Sequence, residues 1–104
     1  MALTRKFKET IKARAESDVE FRRSLLIEAV NLFLEGEVDT AKFMLRDYIN
    51  ATVSFEKVGE AVDKNPKSIQ RMLGPSGNPS TKSLFEVIAF LQKKEKLHLK
   101  VGLA

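Results

Sequence analysis

A chain of 104 residues, 43% hydrophobic and 31% charged, has the length of one domain and the balance of a folded protein rather than a disordered tail. With no cysteine it can form neither a disulfide nor a thiolate metal site, and a reducing cytosol is the expected compartment. The net charge of +4 is unevenly spread: residues 1–14 carry five Lys/Arg against one Glu, residues 15–53 four against eight acids, and residues 54–104 nine against five.

No apolar run approaches the length of a membrane span, and residues 1–15 lack the apolar centre of a signal peptide. Cytoplasmic residence without membrane attachment is therefore the expectation. Residues 4–16 read as a basic helical arm with only Phe7 and Ile11 as apolar anchors, too thinly anchored to stand alone; it docks or frays. Ser17 or Asp18 caps the next helix, where Phe21, Leu25, Ala29 and Leu32 recur at helical spacing beside Leu26, Val30 and Phe33, and Gly36 ends it. Its apolar arc is wider than one core-facing stripe requires, so it is either sandwiched between arm and core or covered by a partner.

Asp39 is expected to cap a third helix running to about Ala51, with Ala41, Met44, Leu45, Tyr48 and Ile49 on one face. Ser54 caps a short helix with Phe55, Val58 and Val62 inward and with Gly59 where a neighbouring helix needs close approach. Asp63 and Lys64 make a turn. Asn65 then caps a helix over residues 66–73, with Pro66 in the first position, where its missing N–H costs nothing, and Ile69, Met72 and Leu73 inward. Residues 74–79 are a Pro/Gly loop. Ser80 or Thr81 starts the last helix, with Leu84, Val87, Ile88 and Leu91 inward and residues 92–96 as its solvated end. The tail over residues 97–103 alternates strictly, which reads as a strand or, failing a partner, as a flexible tail; a strand needs an edge that this chain does not supply, and its own copy across a two-fold axis would supply one.

Little in this sequence points to catalysis. His98, the single histidine, alternates with apolar residues in the tail, and the Ser54-x-x-Lys57 spacing is common by chance. Gly74 to Gly77 follows no strand and lacks the Lys-Ser/Thr of a phosphate-cradling loop, and the acids of residues 15–53 are scattered. No enzyme activity, metal or cofactor is expected.

The region from Ser54 to Leu91 is more informative. No acid lies between Lys64 and Phe85, while Lys64, Lys67, Arg71 and Lys82 do. A helix over residues 66–73 turns Lys67, Ser68, Gln70 and Arg71 away from its apolar side, and these types suit base edges in a DNA major groove. Ser54, Lys57, Lys64, Asn65, Asn78 and Lys82 would flank that surface as phosphate contacts.

Residues 53–91 resemble the XRE (lambda-repressor-like) helix-turn-helix family, and within it the HigA-type addiction-module antidote proteins. The resemblance rests on the run from Phe55 to Val62, on Lys67-Ser68-Ile69-Gln70-Arg71-Met72-Leu73, and on Gly77-Asn78-Pro79-Ser80 leading to Leu84. Phe7-Lys8-Glu9 and Leu45-Arg46-Asp47 resemble it more loosely. It implies an all-α, five-helix DNA-binding domain over residues 18–96, preceded by the arm at 1–17 and followed by the tail at 97–104. It also implies a homodimer on a palindromic operator in its own promoter, and a RelE-like toxin as partner. Two positions depart from the pattern: Asp63 stands where the turn usually has glycine, and Pro66 where the first helical residue often contacts a base. Asp tolerates a left-handed backbone, so the turn is expected to survive. The alternatives are a protein-interaction module with weak DNA binding, for which the acidic, apolar-rich segment 18–39 and the basic arm are the candidate surface, and a stand-alone phage-type regulator.

Overall fold

Four short polar side chains start four of the helices. Asp18 Oδ1 accepts from the Phe21 N–H at 3.0 Å, Ser54 Oγ from Lys57 at 3.3 Å, Asn65 Oδ1 from Lys67 at 2.8 Å and Ser80 Oγ from Ser83 at 3.1 Å. Each satisfies an N–H that has no partner inside its own helix. The structure, a computed structural model, describes the backbone of residues 5–104 and the side chains from Glu9 onward. Its elements are α1 (Arg5–Ser17), α2 (Val19–Leu34), α3 (Val38–Thr52), α4 (Phe55–Val62), α5 (Pro66–Met72) and α6 (Thr81–Glu95). The fold is all-helical across the described residues.

Two boundaries differ from expectation. The third helix begins at Val38, with Glu37 as a cap lacking a side-chain hydrogen bond, so Asp39 lies in the first turn, where its charge favours the helix dipole. The helix after Pro66 ends at Met72, with Leu73 as its C-cap. The turns follow the residue chemistry: Gly36 takes a φ of 86°, and Asp63 caps α4 in the left-handed region at φ 55°, ψ 52°.

α2 packs against both α1 and α3, so part of its wide apolar arc is sandwiched between arm and core, while Val19, Ile27 and Leu34 stay exposed. Leu26 and Ala29 are fully buried, and Val30 and Phe33 pack against the same core. Leu45, Tyr48 and Ile49 from α3 meet Phe55 and Val58 from α4, Ile69 from α5, and Val87, Ile88 and Leu91 from α6. The arm is docked: Ala15 is fully buried, and Arg14 lies 4.2 Å from the centre of the Phe21 ring. Ile11 is half-buried; the Phe7 side chain lies outside the described residues.

The end of α6 is not uniformly solvated as predicted. Glu95 is buried at 3% exposure, and its carboxylate accepts two bonds from Arg22 Nε (2.7 and 2.9 Å) and one from the Tyr48 hydroxyl (2.5 Å). Arg22 also donates to the Ala15 carbonyl at 3.0 Å, and Arg23 donates to the Glu95 carbonyl at 2.8 and 3.2 Å. The Glu95 carboxylate thus joins α2, α3 and α6, and the Arg22 guanidinium extends the network to α1. Burial, followed by the hydrogen bond and charge of Glu95, holds the Tyr48 phenol well above its ordinary pKa, so it stays a donor.

The expected C-terminal strand is not formed within the chain, because no described segment offers an edge. Residues 97–104 carry no regular secondary structure. The alternation nevertheless survives in their burial: Leu97 and Leu99 are half-buried, while His98 and Lys100 are exposed.

Candidate nucleic-acid interface

α4 and α5 are set at their mutual angle by a glycine and a turn. A Cβ on Gly59 would stand 2.6 Å from the Lys64 carbonyl oxygen and 3.3 Å from the Pro66 ring. Only glycine lets the start of α5 come this close to α4, as its position in the sequence suggested. Gly59→Ala gains about 1 kcal/mol of helix propensity, but the obstructing oxygen belongs to the backbone and cannot swing aside. A net loss of about 1–2 kcal/mol is expected, read as a lower urea midpoint with an unchanged slope.

The other end of α5 is held as tightly. Gly74 N–H donates to the Arg71 carbonyl at 3.1 Å and Gly77 N–H to the Gly74 carbonyl at 3.0 Å, folding the loop back over the helix. A Cβ on Gly77 would collide with the Arg71 and Met72 carbonyls. Lys42 of α3, only 4% exposed, donates to the Gly77 carbonyl at 2.7 Å and lies 3.4 Å from Asp39. Sequence reasoning passed over Lys42, a lone cation whose acceptor lies 35 residues further along the chain. Beside it, Asp39, Phe43, Arg46, Leu73, Gly74 and Pro75 line a shallow cleft, with the Arg46 guanidinium 5.6 Å from the centre of the Phe43 ring.

Between these two fixed ends the polar flank of α5 is free. Lys67, Ser68, Gln70 and Arg71 are all exposed, and none of their side chains makes a hydrogen bond or ion pair within the described residues. Ile69 and Leu73 are buried and Met72 half-buried on the opposite side. The four base-reading candidates therefore share one solvent-facing flank of a helix that cannot rotate.

The phosphate-contact candidates fall into three groups along the chain. Ser54 and Lys57 stand at the start of α4, Lys64 and Asn65 in the turn, and Asn78 and Lys82 in the loop and first turn of α6. Lys57, Asn65, Asn78 and Lys82 are exposed; Ser54 and Lys64 are half-buried. Ser54 and Asn65 already use a side-chain oxygen as a cap. Ser54 also holds a backbone at φ 92°, ψ 152°, a region that side chains rarely enter and that costs about 1–3 kcal/mol. Exposed Glu56 and Glu60 accompany Lys57 on α4 and exposed Asp63 accompanies Lys64 in the turn, so the unopposed positive charge lies on α5 and the start of α6.

Among the described residues no group of three or more His, Asp or Glu is placed to hold a metal ion, and no helix is long and apolar enough to cross a membrane. Comparison of the chain with protein-family models, curated proteins and solved structures finds no match.

Proposed function

We propose that this chain is a sequence-specific DNA-binding repressor of lambda-repressor-like helix-turn-helix type, acting as the antitoxin of a toxin–antitoxin pair and autoregulating its operon. The reading rests on one observation above all: the flank of α5 bearing Lys67, Ser68, Gln70 and Arg71 is exposed and unpartnered, with no acid from Asn65 to Leu84. A helix braced at both ends and polar on its outer side is what readout of base edges requires. In this reading α4 lies across the backbone, α5 enters the major groove, and Lys57, Lys64 and Lys82 meet phosphates. A cytoplasmic homodimer would present two such helices about 34 Å apart to the halves of a palindrome.

The test is binding to the DNA upstream of the chain's own gene. Arg71→Ala is expected to cost about 1–3 kcal/mol there, roughly 5- to 150-fold in affinity, and much less on random duplex. Equal loss on both would make Arg71 a phosphate contact.

The antitoxin half of the proposal draws on a different surface. The outer face of α2 carries exposed Glu20, Glu28 and Glu35 with Ile27 and Leu34, and leads across the turn to Glu37, Val38 and Asp39. No base occurs from Ser24 to Ala41. Acids around exposed aliphatic side chains suit a basic protein such as a RelE-like toxin. The same surface favours the rival reading of a protein-interaction module, which a gel shift absent at every salt concentration would support.

A further inference from the structure

We infer that the C-terminal tail is the dimerisation element, pairing antiparallel with the tail of a second copy to make a two-stranded ribbon across the two-fold axis. This rests in part on the homodimer of the preceding reading, but it is tested without DNA.

The tail has the apolar alternation of a strand but no partner among the described residues. At Lys96 the backbone turns left-handed (φ 56°) and the Leu97 N–H closes the helix end on the Gln92 carbonyl at 3.1 Å. The Leu99 N–H is then held by Gln92 Oε1 at 2.7 Å, which lays the chain against the last turns of α6. Leu97 and Leu99 face the molecule, His98 and Lys100 face solvent, and the alternation continues through Val101 and Leu103. Those two side chains have nothing beneath them: Val101 is 81% exposed and Leu103 fully so. Beyond Leu99 no backbone N–H or carbonyl of the tail bonds to a described residue. An edge of unpaired backbone groups with one apolar face calls for another strand.

A second copy fits that edge better than an unrelated strand, because the tail is complementary to itself. Keeping apolar residues opposite apolar ones places the two-fold axis on a residue rather than between two, and centres at Lys100 and Val101 are two such registers. Centred on Lys100, the ribbon sets Lys100 against its own twin, which is unfavourable. Centred on Val101, it opposes Val101 to Val101, Leu99 to Leu103 and Lys100 to Gly102, with no like charges facing. This register also sets each Leu103 beside the partner's Leu99, which lies on the partner's own body, so the side chains left bare in one copy are covered in two.

The neighbouring helix face extends the contact. Phe85, Ala89 and Gln92 follow at i, i+4 and i+7 on one side of α6, and Phe85 is 59% exposed, a large apolar ring without cover. Gln92 lies ten residues beyond Lys82, about 15 Å along the helix, whereas Phe85 stands within one turn of Lys82, so the contact runs from the tail up to the edge of the candidate DNA surface.

The chain has no cysteine, so a single introduced one reports the pairing directly. Sedimentation of the whole chain is expected to give a dimer, and a chain ending at Leu97 a monomer with unchanged helical circular dichroism. On mild oxidation Val101→Cys should form a covalent dimer in high yield, and Lys100→Cys little. A monomeric whole chain, a shortened chain that still dimerises, or equal cross-linking at both positions would overturn the inference. A dimer that forms as expected yet binds no DNA would sink the repressor reading alone.

Discussion

Arg22→Ala is expected to remove about 3–5 kcal/mol of folding stability, because it leaves a carboxylate buried without its cation. The Glu95 side chain is 2% exposed, whereas that of Arg22 keeps 24%. Cutting away the arginine therefore strands the more deeply buried charge, with the Tyr48 hydroxyl as the one side-chain donor left to it among the described residues. Against a total stability of about 5–15 kcal/mol for a domain of this size, that loss is large, and the midpoint of thermal unfolding should fall by about 12 °C or more. The change is not local. The Arg22 guanidinium also holds the Ala15 carbonyl, so the variant should loosen α1 first, visible as faster amide exchange over residues 9–17. Replacing the pair together, Arg22→Met with Glu95→Leu, should recover most of the stability, since well-packed apolar residues often serve as well as a buried ion pair. A single variant that unfolds within about 1 kcal/mol of the parent would mean the two bonds from Arg22 to Glu95 contribute little.

That network marks the limit of what the amino-acid order discloses. Asp18, Ser54, Asn65 and Ser80 are legible as caps because a capping oxygen reaches two or three residues ahead, within any reading window. Gly36, Asp63 and Pro66 are legible for the same reason, each setting the backbone where it stands. The exposed flank of α5 follows from local periodicity against Ile69 and Leu73. Glu95 follows from none of this. It sits among lysines at the end of a helix, and what buries it is Arg22, 73 positions away, together with Tyr48, 47 away. Lys42 is the same case, its carbonyl acceptor lying 35 residues on at Gly77. The tail lies between the two: its alternation is local and readable, whereas no described residues supply the edge it needs.

The long-range contacts and the candidate interface are mechanically connected. Lys42 pins the loop that folds over the C-terminal end of α5, and Gly59 admits Lys64 and Pro66 at the N-terminal end. α5 has only seven residues and would not hold a helix by itself. Its orientation is therefore owed to α3 and α4, and a lesion in either should weaken binding without touching a base-reading side chain.

Raising salt from about 50 to about 200 mM is expected to weaken operator binding about a thousandfold. Lys57, Lys64 and Lys82 supply three candidate phosphate contacts per copy, hence about six in a homodimer. Each neutralised phosphate releases close to one counterion, so the logarithm of the affinity should fall with a slope of about −5 against the logarithm of salt. The three lysines are not equal. Lys57 shares α4 with exposed Glu56 and Glu60 and Lys64 stands beside exposed Asp63, whereas no acid lies within the seventeen residues before Lys82, so Lys82→Gln should flatten the slope more than Lys57→Gln or Lys64→Gln. The triple variant should lose most of the slope while keeping the sequence preference carried by Gln70 and Arg71, because phosphate contacts position and base contacts specify. Salt titrations on operator and random duplex separate the two effects. A slope unchanged in the triple variant would show that these lysines face water rather than DNA, and would move the interface off the α4–α5 surface.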